Sequence, residues 1–248
     1  MNIEFFSLEQ QDEFIFNLFD GKRNGTFIDL ACAHPIQGNN TYVLEKEFGW
    51  SGWCFDIVDV EKRDQWSSHR TSPFIQIDAT SEVFSNYLKT HIPKDLVVDY
   101  ISLDIDTASM AALARIIEAG IKFKSITFEH EYFKDPNLRT SSREVLEALG
   151  FERLFEDIII PSFADYYPGK IQVFEDWWIN PEYIDPAILE IKTTGKFYKD
   201  NVQIIKDYKK ISYVGTHACS LSWPDEYRLF HSPAEEWKYR KEFAKMKK

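Results

Sequence analysis

Five short apolar runs in the first 130 residues carry or are followed at once by a carboxylate, and helical patterns alternate with them. The runs are Gly25 to Ala31 with Asp29, Trp53 to Ile57 with Asp56, Phe74 to Ile77 with Asp78, Val97 to Leu103 with Asp104 and Asp106, and Ser125 to Glu129 with His130 and Glu131. Strands alternating with helices need crossover connections, so the chain reads as α/β with a mostly parallel sheet and helices on both faces. The intervening helices are expected at Leu44 to Phe48, Ser81 to Thr90, Ala108 to Ala119 and Thr140 to Leu149. Asn40 and Thr41 are placed to cap the first of these, with Glu45 and Lys46 on its exposed face. Ser141 and Glu144 stand at capping-box spacing in the last. Two more strand-like runs, Phe155 to Ile160 and Lys170 to Phe174, have no helix between them, which makes the end of the sheet hairpin-like and mixed.

A carboxylate rarely ends an apolar strand merely to be solvated. In an open parallel sheet, ligands bind at the carboxyl ends of the strands, near the point where strand order reverses. Asp56, ending the second strand, suits a ribose diol, somewhat beyond the roughly 20-residue spacing expected of a ribose acid. The first loop, Ala31-Cys-Ala-His-Pro-Ile-Gln-Gly38, lacks the glycine fingerprint that lets backbone approach a pyrophosphate. That disfavours a nicotinamide-dependent oxidoreductase and favours S-adenosyl-L-methionine, a nucleoside cofactor without phosphates.

Four segments carry a family resemblance: Gly25-Thr-Phe-Ile-Asp-Leu-Ala, Asn39-Asn-Thr-Tyr-Val-Leu-Glu-Lys-Glu-Phe-Gly-Trp-Ser-Gly-Trp53, Tyr100-Ile-Ser-Leu-Asp-Ile-Asp106 and Ile126-Thr-Phe-Glu-His130. Over about residues 25 to 180 the chain resembles the FkbM-type S-adenosylmethionine-dependent methyltransferases. The resemblance implies a Rossmann-like methyltransferase fold, a seven-stranded sheet whose last strand is antiparallel. It also implies a transferase that O-methylates a sugar, glycan or other small hydroxylated substrate. Asp29 and Ala31 would line the methionine end of the cofactor, Asp56 the ribose and Asp78 the adenine amino group. Asp104 would face the transferred methyl, with Asn40 and Thr41 at the helix start beside the cofactor. The chain departs from the family where Ala31 to Pro35 replace a glycine-bearing loop, where Asp56 replaces Glu, and where Asp106-Thr107 replace Glu-Gly. The competing reading is therefore a methyltransferase-like domain without catalysis, serving in binding or assembly.

Transfer to a hydroxyl needs its proton removed, by a general base or with a metal lowering its pKa. Asp104 and His130 are the candidate catalytic groups. If the fourth and fifth strand ends are neighbours, the groups available there, Asp104, Asp106, Glu129, His130 and Glu131, could form an oxygen-rich site for Mg2+ or Mn2+, with Asp104, Glu129 and His130 as its expected ligands. His34 could reach the same site, although a loop histidine beside proline is ordinarily structural. Arg139 and Arg143, one turn apart, could take an anionic group of the substrate or simply form a solvated helix face. Trp177 and Trp178 could stack on a sugar or serve in packing.

Charge and composition bound the partners. Lys and Arg number 29 against 40 Asp and Glu, a net charge of −11, so neither nucleic acid nor an anionic membrane is expected as partner. No apolar run nears the ~20 residues of a membrane span, and the first residues lack a signal-peptide pattern, so a soluble, cytoplasmic protein is expected. Cys32, Cys54 and Cys219 have no metal or disulfide spacing and read as buried thiols. The expected organisation is a helical lead-in over 1–24, a methyltransferase domain over 25–180 and an aromatic, helical extension over 181–248. Whether the chain forms a homo-oligomer is left open by its sequence.

Overall fold

The computed structural model describes residues 1–132, 134–161 and 171–218. The part of the expected aromatic, helical extension from Cys219 onward lies outside the described residues. The strands are β1 (Asn2–Phe5), β2 (Thr26–Leu30), β3 (Ser51–Asp56), β4 (Phe74–Gln76), β5 (Val97–Leu103), β6 (Lys122–Glu129), β7 (Glu152–Pro161), β8 (Ile171–Ile179), β9 (Thr193–Thr194) and β10 (Val214–His217). The helices are α1 (Gln11–Leu18), α2 (Tyr42–Phe48), α3 (Val60–Asp64), α4 (Trp66–His69), α5 (Glu82–His91), α6 (Ser109–Glu118), α7 (Pro136–Ala148) and α8 (Tyr198–Lys209).

The main sheet runs β4-β3-β2-β5-β6-β8-β7-β9. All its pairings are parallel except those of β8, which is antiparallel to both β6 and β7. Counted from β2, the first seven strands take the order expected of a Rossmann-like methyltransferase sheet, with its reversed strand inserted next to last. The two-residue β9 adds an eighth, edge strand that the sequence did not announce. Alternation along each strand divides the core in two. Phe27, Cys54, Tyr100, Phe155 and Trp177 face α1, α2 and α8, while Ile28, Phe55, Ile101, Ile126 and Trp178 face α5, α6 and α7. Trp177 and Trp178 are thus both buried, one on each side, and serve in packing rather than stacking on a ligand.

The first 24 residues hold more than a helix. β1 pairs in parallel with β10, Asn2 opposite Val214, in a separate two-stranded sheet. α1 is anchored on the main sheet by Phe14, whose ring stacks on Trp177 at 4.4 Å between centroids. This docking sets the position of the β1–α1 connection over the carboxyl ends of the central strands. The last of these intervening helices is capped six residues earlier than its capping-box spacing suggests. Asp135 caps α7 by accepting the Asn137 N–H, with Pro136 at the first helical position.

Candidate active site

Chain order reverses between β2 and β5, and the loop leaving β2 lies at that crevice. Ala31 and Ala33 hold φ of 57° and 49°, left-handed conformations that glycine takes without cost. The loop is secured from below by Asp29, whose Oδ2 accepts from Thr41 Oγ1 at 2.8 Å and Asn39 Nδ2 at 3.2 Å. Thr41 and Asn40 therefore do not cap α2 with their side chains. Thr41 bonds back to the strand, and Asn40 spans the crevice to Ser102 on β5, Nδ2 to Oγ 3.0 Å. Burial pushes Asp29 up to about 6, opposed by the Thr41 hydroxyl and the charge of Arg70. Asp29 is thus a buried support of the loop.

Arg70 is the central clamp. Its guanidinium, inaccessible to solvent, donates to Glu45 (3.0 Å), Asn39 Oδ1 (2.9 Å), Thr41 Oγ1 (2.9 Å) and the Pro35 carbonyl (3.2 Å), and stands 4.8 Å from the Trp66 ring. Glu45 also accepts from the Thr71 and Ser72 N–H groups. The expectation that Glu45 lies on an exposed face is corrected: it is buried as the counter-charge of Arg70. From outside, Arg63 donates to the Ala33 carbonyl.

Asp56 faces this loop from the end of β3. One carboxylate oxygen accepts the Ala33 N–H at 3.0 Å and the other the Val58 N–H at 2.8 Å, leaving further lone pairs for a diol. Next to it Ile57 and Val58 are 66% and 46% exposed, an apolar surface beside the strand end that the sequence reading missed. Asp78, on the neighbouring strand end, is exposed. The Thr80 hydroxyl and N–H hold its carboxylate below the usual range.

On the other side of the crevice, carboxylates accumulate around Asp104. Its charge acts on Glu9, Asp29, Glu129 and Glu175. Glu9 comes from the β1–α1 connection. Burial and the Asp104 charge push its carboxyl up to about 8. Gln11 links it to the sheet, accepting the Glu9 N–H and donating to Glu175 Oε1, which also accepts from Trp177 Nε1 at 2.6 Å. Burial raises both Glu129 and Glu175 well above the ordinary carboxylate range, with Asp104 adding to each. Asp104 itself is half-buried. Glu9, Gln11 and Glu175 were not identified from sequence, because each becomes part of the site only through long-range packing.

His130 does not join this group. It is fully buried, with Nε2 3.6 Å from Asp176 Oδ1, while Arg143 binds both Asp176 and Asp157 and Arg139 binds Asp157. His130 and Arg143 together hold Asp176 below the usual carboxylate range, against the effect of burial. The strand geometry gives the reason: neighbouring residues of an extended chain point to opposite faces, so Glu129 and His130 cannot serve one centre. The proposed trio of Asp104, Glu129 and His130 is therefore divided, and His130 as general base is withdrawn. Arg139 and Arg143 are likewise committed to internal carboxylates instead of presenting an anion site. His34 Nδ1 accepts the N–H groups of Ile36 and Gln37, a loop-shaping role.

No family model matches the chain, and no curated protein matches it by sequence. Among solved structures it is similar to a candidate rRNA-methylase from Clostridium thermocellum, at 16% identity and TM-score 0.44, over 71% of this chain and 97% of that one. It is also similar to a Burkholderia thailandensis 1,6-didemethyltoxoflavin-N1-methyltransferase with bound S-adenosylhomocysteine, at 14% identity and TM-score 0.42, over 69% and 77%. A third is the MycE methyltransferase of mycinamycin biosynthesis, at 14% identity and TM-score 0.39, over 63% of this chain and 42% of that one. Likeness this distant assigns no residue a role.

Proposed function

We propose that the chain is an S-adenosylmethionine-dependent O-methyltransferase of the FkbM type, acting on a hydroxyl of a small substrate such as a sugar or glycan. The observation that supports it most is the crevice at the reversal of strand order. There the carboxylate of Asp56 meets a loop whose two alanines keep left-handed, glycine-like backbone. This arrangement fits a nucleoside: Asp56 for the ribose hydroxyls, Ile57 and Asp78 for the adenine, and the Ala31 to Ala33 backbone for the methionine end. It does not fit a pyrophosphate, for which no glycine-rich turn is present.

When bound, the cofactor supplies an electrophilic methyl on a sulfonium. The chain's own residues have three tasks. Asp104 holds the acceptor hydroxyl at the strand end and takes its proton as the oxygen–carbon bond forms and the carbon–sulfur bond breaks. Glu9, Glu129 and Glu175, whose carboxyls are raised by burial and by the Asp104 charge, surround it. Asn40 and Arg70 keep the loop pressed against β5, which preserves the alignment that transfer requires.

The test is transfer of isotopically labelled methyl from S-adenosylmethionine to a panel of sugars, glycans and RNA. A labelled sugar with wild type, and at least a hundredfold lower turnover with Asp104→Asn at unchanged cofactor affinity, is the expected result. Labelling of RNA alone overturns the substrate assignment. Cofactor binding without transfer to any acceptor favours the non-catalytic reading.

A further inference from the structure

We propose that Asp106, Glu129 and Glu131 form a binding site for a hard divalent cation, of the Mg2+, Mn2+ or Ca2+ class, with the ammonium of Lys134 as its built-in competitor. The three residues come from two adjacent strand ends. Asp106 follows β5 and Glu129 closes β6, with Glu131 two residues on. Each offers a carboxylate oxygen, and these oxygens all lie within 4.8 Å of one another. Oxygens this close can be drawn onto one ion at roughly 2.1–2.4 Å by small side-chain adjustments.

A cluster of acids alone would say little, since such clusters occur as plain surface charge. The distinguishing observation is Glu131, 4% exposed, whose Oε2 is buried and accepts from no donor. A buried carboxylate oxygen without a donor is costly, and a cation is what compensates it. Its other oxygen is 2.5 Å from Lys134 Nζ, which also donates to Asp106 Oδ1 at 2.8 Å. The ammonium thus pairs with two of the three carboxylates, while Glu129 Oε2 accepts the Asp106 N–H at 3.2 Å. Asp106 and Glu131 both hold positive φ, 46° and 39°. The neighbouring group of His130, Asp157 and Asp176 differs in kind. Arg139 and Arg143 already occupy its carboxylates, leaving no comparable demand for a cation.

The oxygen-only donor set selects a hard ion over a soft one. Lys134, 42% exposed in its side chain, can swing out to solvent when the ion enters. Binding therefore exchanges a tethered monovalent cation for a free divalent one, and weakening Lys134 strengthens the site.

The experiment is calorimetric titration of MnCl2 into the full chain without cofactor, followed by displacement with MgCl2 and CaCl2. The ion site therefore stands or falls separately from methyl transfer. One Mn2+ per chain is expected, bound about a hundredfold more weakly by Glu131→Gln and by Asp106→Asn, and about tenfold more tightly by Lys134→Met. Asp106 is exposed, so Asp106→Asn keeps the measurement meaningful if Glu131→Gln fails to fold. The proposal is overturned if neither wild type nor Lys134→Met binds Mn2+, if Glu131→Gln and Asp106→Asn bind it as wild type does, or if Lys134→Met leaves the affinity unchanged.

Discussion

Replacing Glu9 by Gln removes a charge from a fully buried position while keeping its size, and the structure determines how the effect depends on pH. Burial and Asp104 raise the Glu9 carboxyl from 4.5 to about 8, so the folded chain holds this proton more tightly than the unfolded one. Below pH 4.5 both states carry it and no penalty exists. As pH rises through the interval, the unfolded state releases the proton first and stability falls, the full loss being reached above about pH 8. At 1.36 kcal/mol per pKa unit, the loss is on the order of 5 kcal/mol. Urea unfolding followed by tryptophan fluorescence, at pH 4.5 and pH 8.5, gives the wild-type and Glu9→Gln stabilities directly. The two proteins should be alike at the acid end, and the variant several kcal/mol more stable at the alkaline end. Asp104→Asn should narrow that gap, since it removes the charge that raises Glu9. A gap of the same size at both pH values would refute the placement of Glu9 against Asp104.

Ala31→Gly should raise stability by up to ~1 kcal/mol in urea unfolding, because a left-handed residue with a Cβ costs 1–2 kcal/mol and glycine's larger unfolded-state entropy returns part of that. A loss above 1 kcal/mol would mean that the Ala31 methyl is a packing group. Arg70→Leu should cost about 3–5 kcal/mol, since it leaves Glu45 buried without its partner, and a change under 1 kcal/mol by thermal melting would contradict the clamp. Gly52→Ala should be among the most damaging small changes in the sheet. Its Cβ would stand 2.1 Å from the Phe27 carbonyl oxygen, so a soluble, native-like variant would contradict the β2–β3 packing.

The strands of the main sheet were legible because each is a β-branched or aromatic run with its own punctuation, and the strand-end acids because they interrupt an apolar pattern. What stayed hidden depends on partners distant in sequence. β1 has an unremarkable tetrapeptide sequence and becomes a strand only through Val214 to His217. Glu45 looked exposed from its helix position, and only the seating of Arg70 beneath the loop makes its burial intelligible. Glu9 and Glu175 meet across 166 positions and cannot be matched by spacing. The separation of Glu129 from His130 was within reach, since strand alternation pairs position 129 with 131 and opposes it to 130.

The crevice between β2 and β5 as a nucleoside-cofactor site is tested most directly by titrating S-adenosylhomocysteine calorimetrically into wild type and Asp56→Ala, with NAD in parallel. One S-adenosylhomocysteine per chain, no NAD, and at least tenfold weaker binding by a folded Asp56→Ala are predicted. Equal affinity in both proteins would remove Asp56 from the site, and the absence of binding in wild type would contradict the methyltransferase account itself.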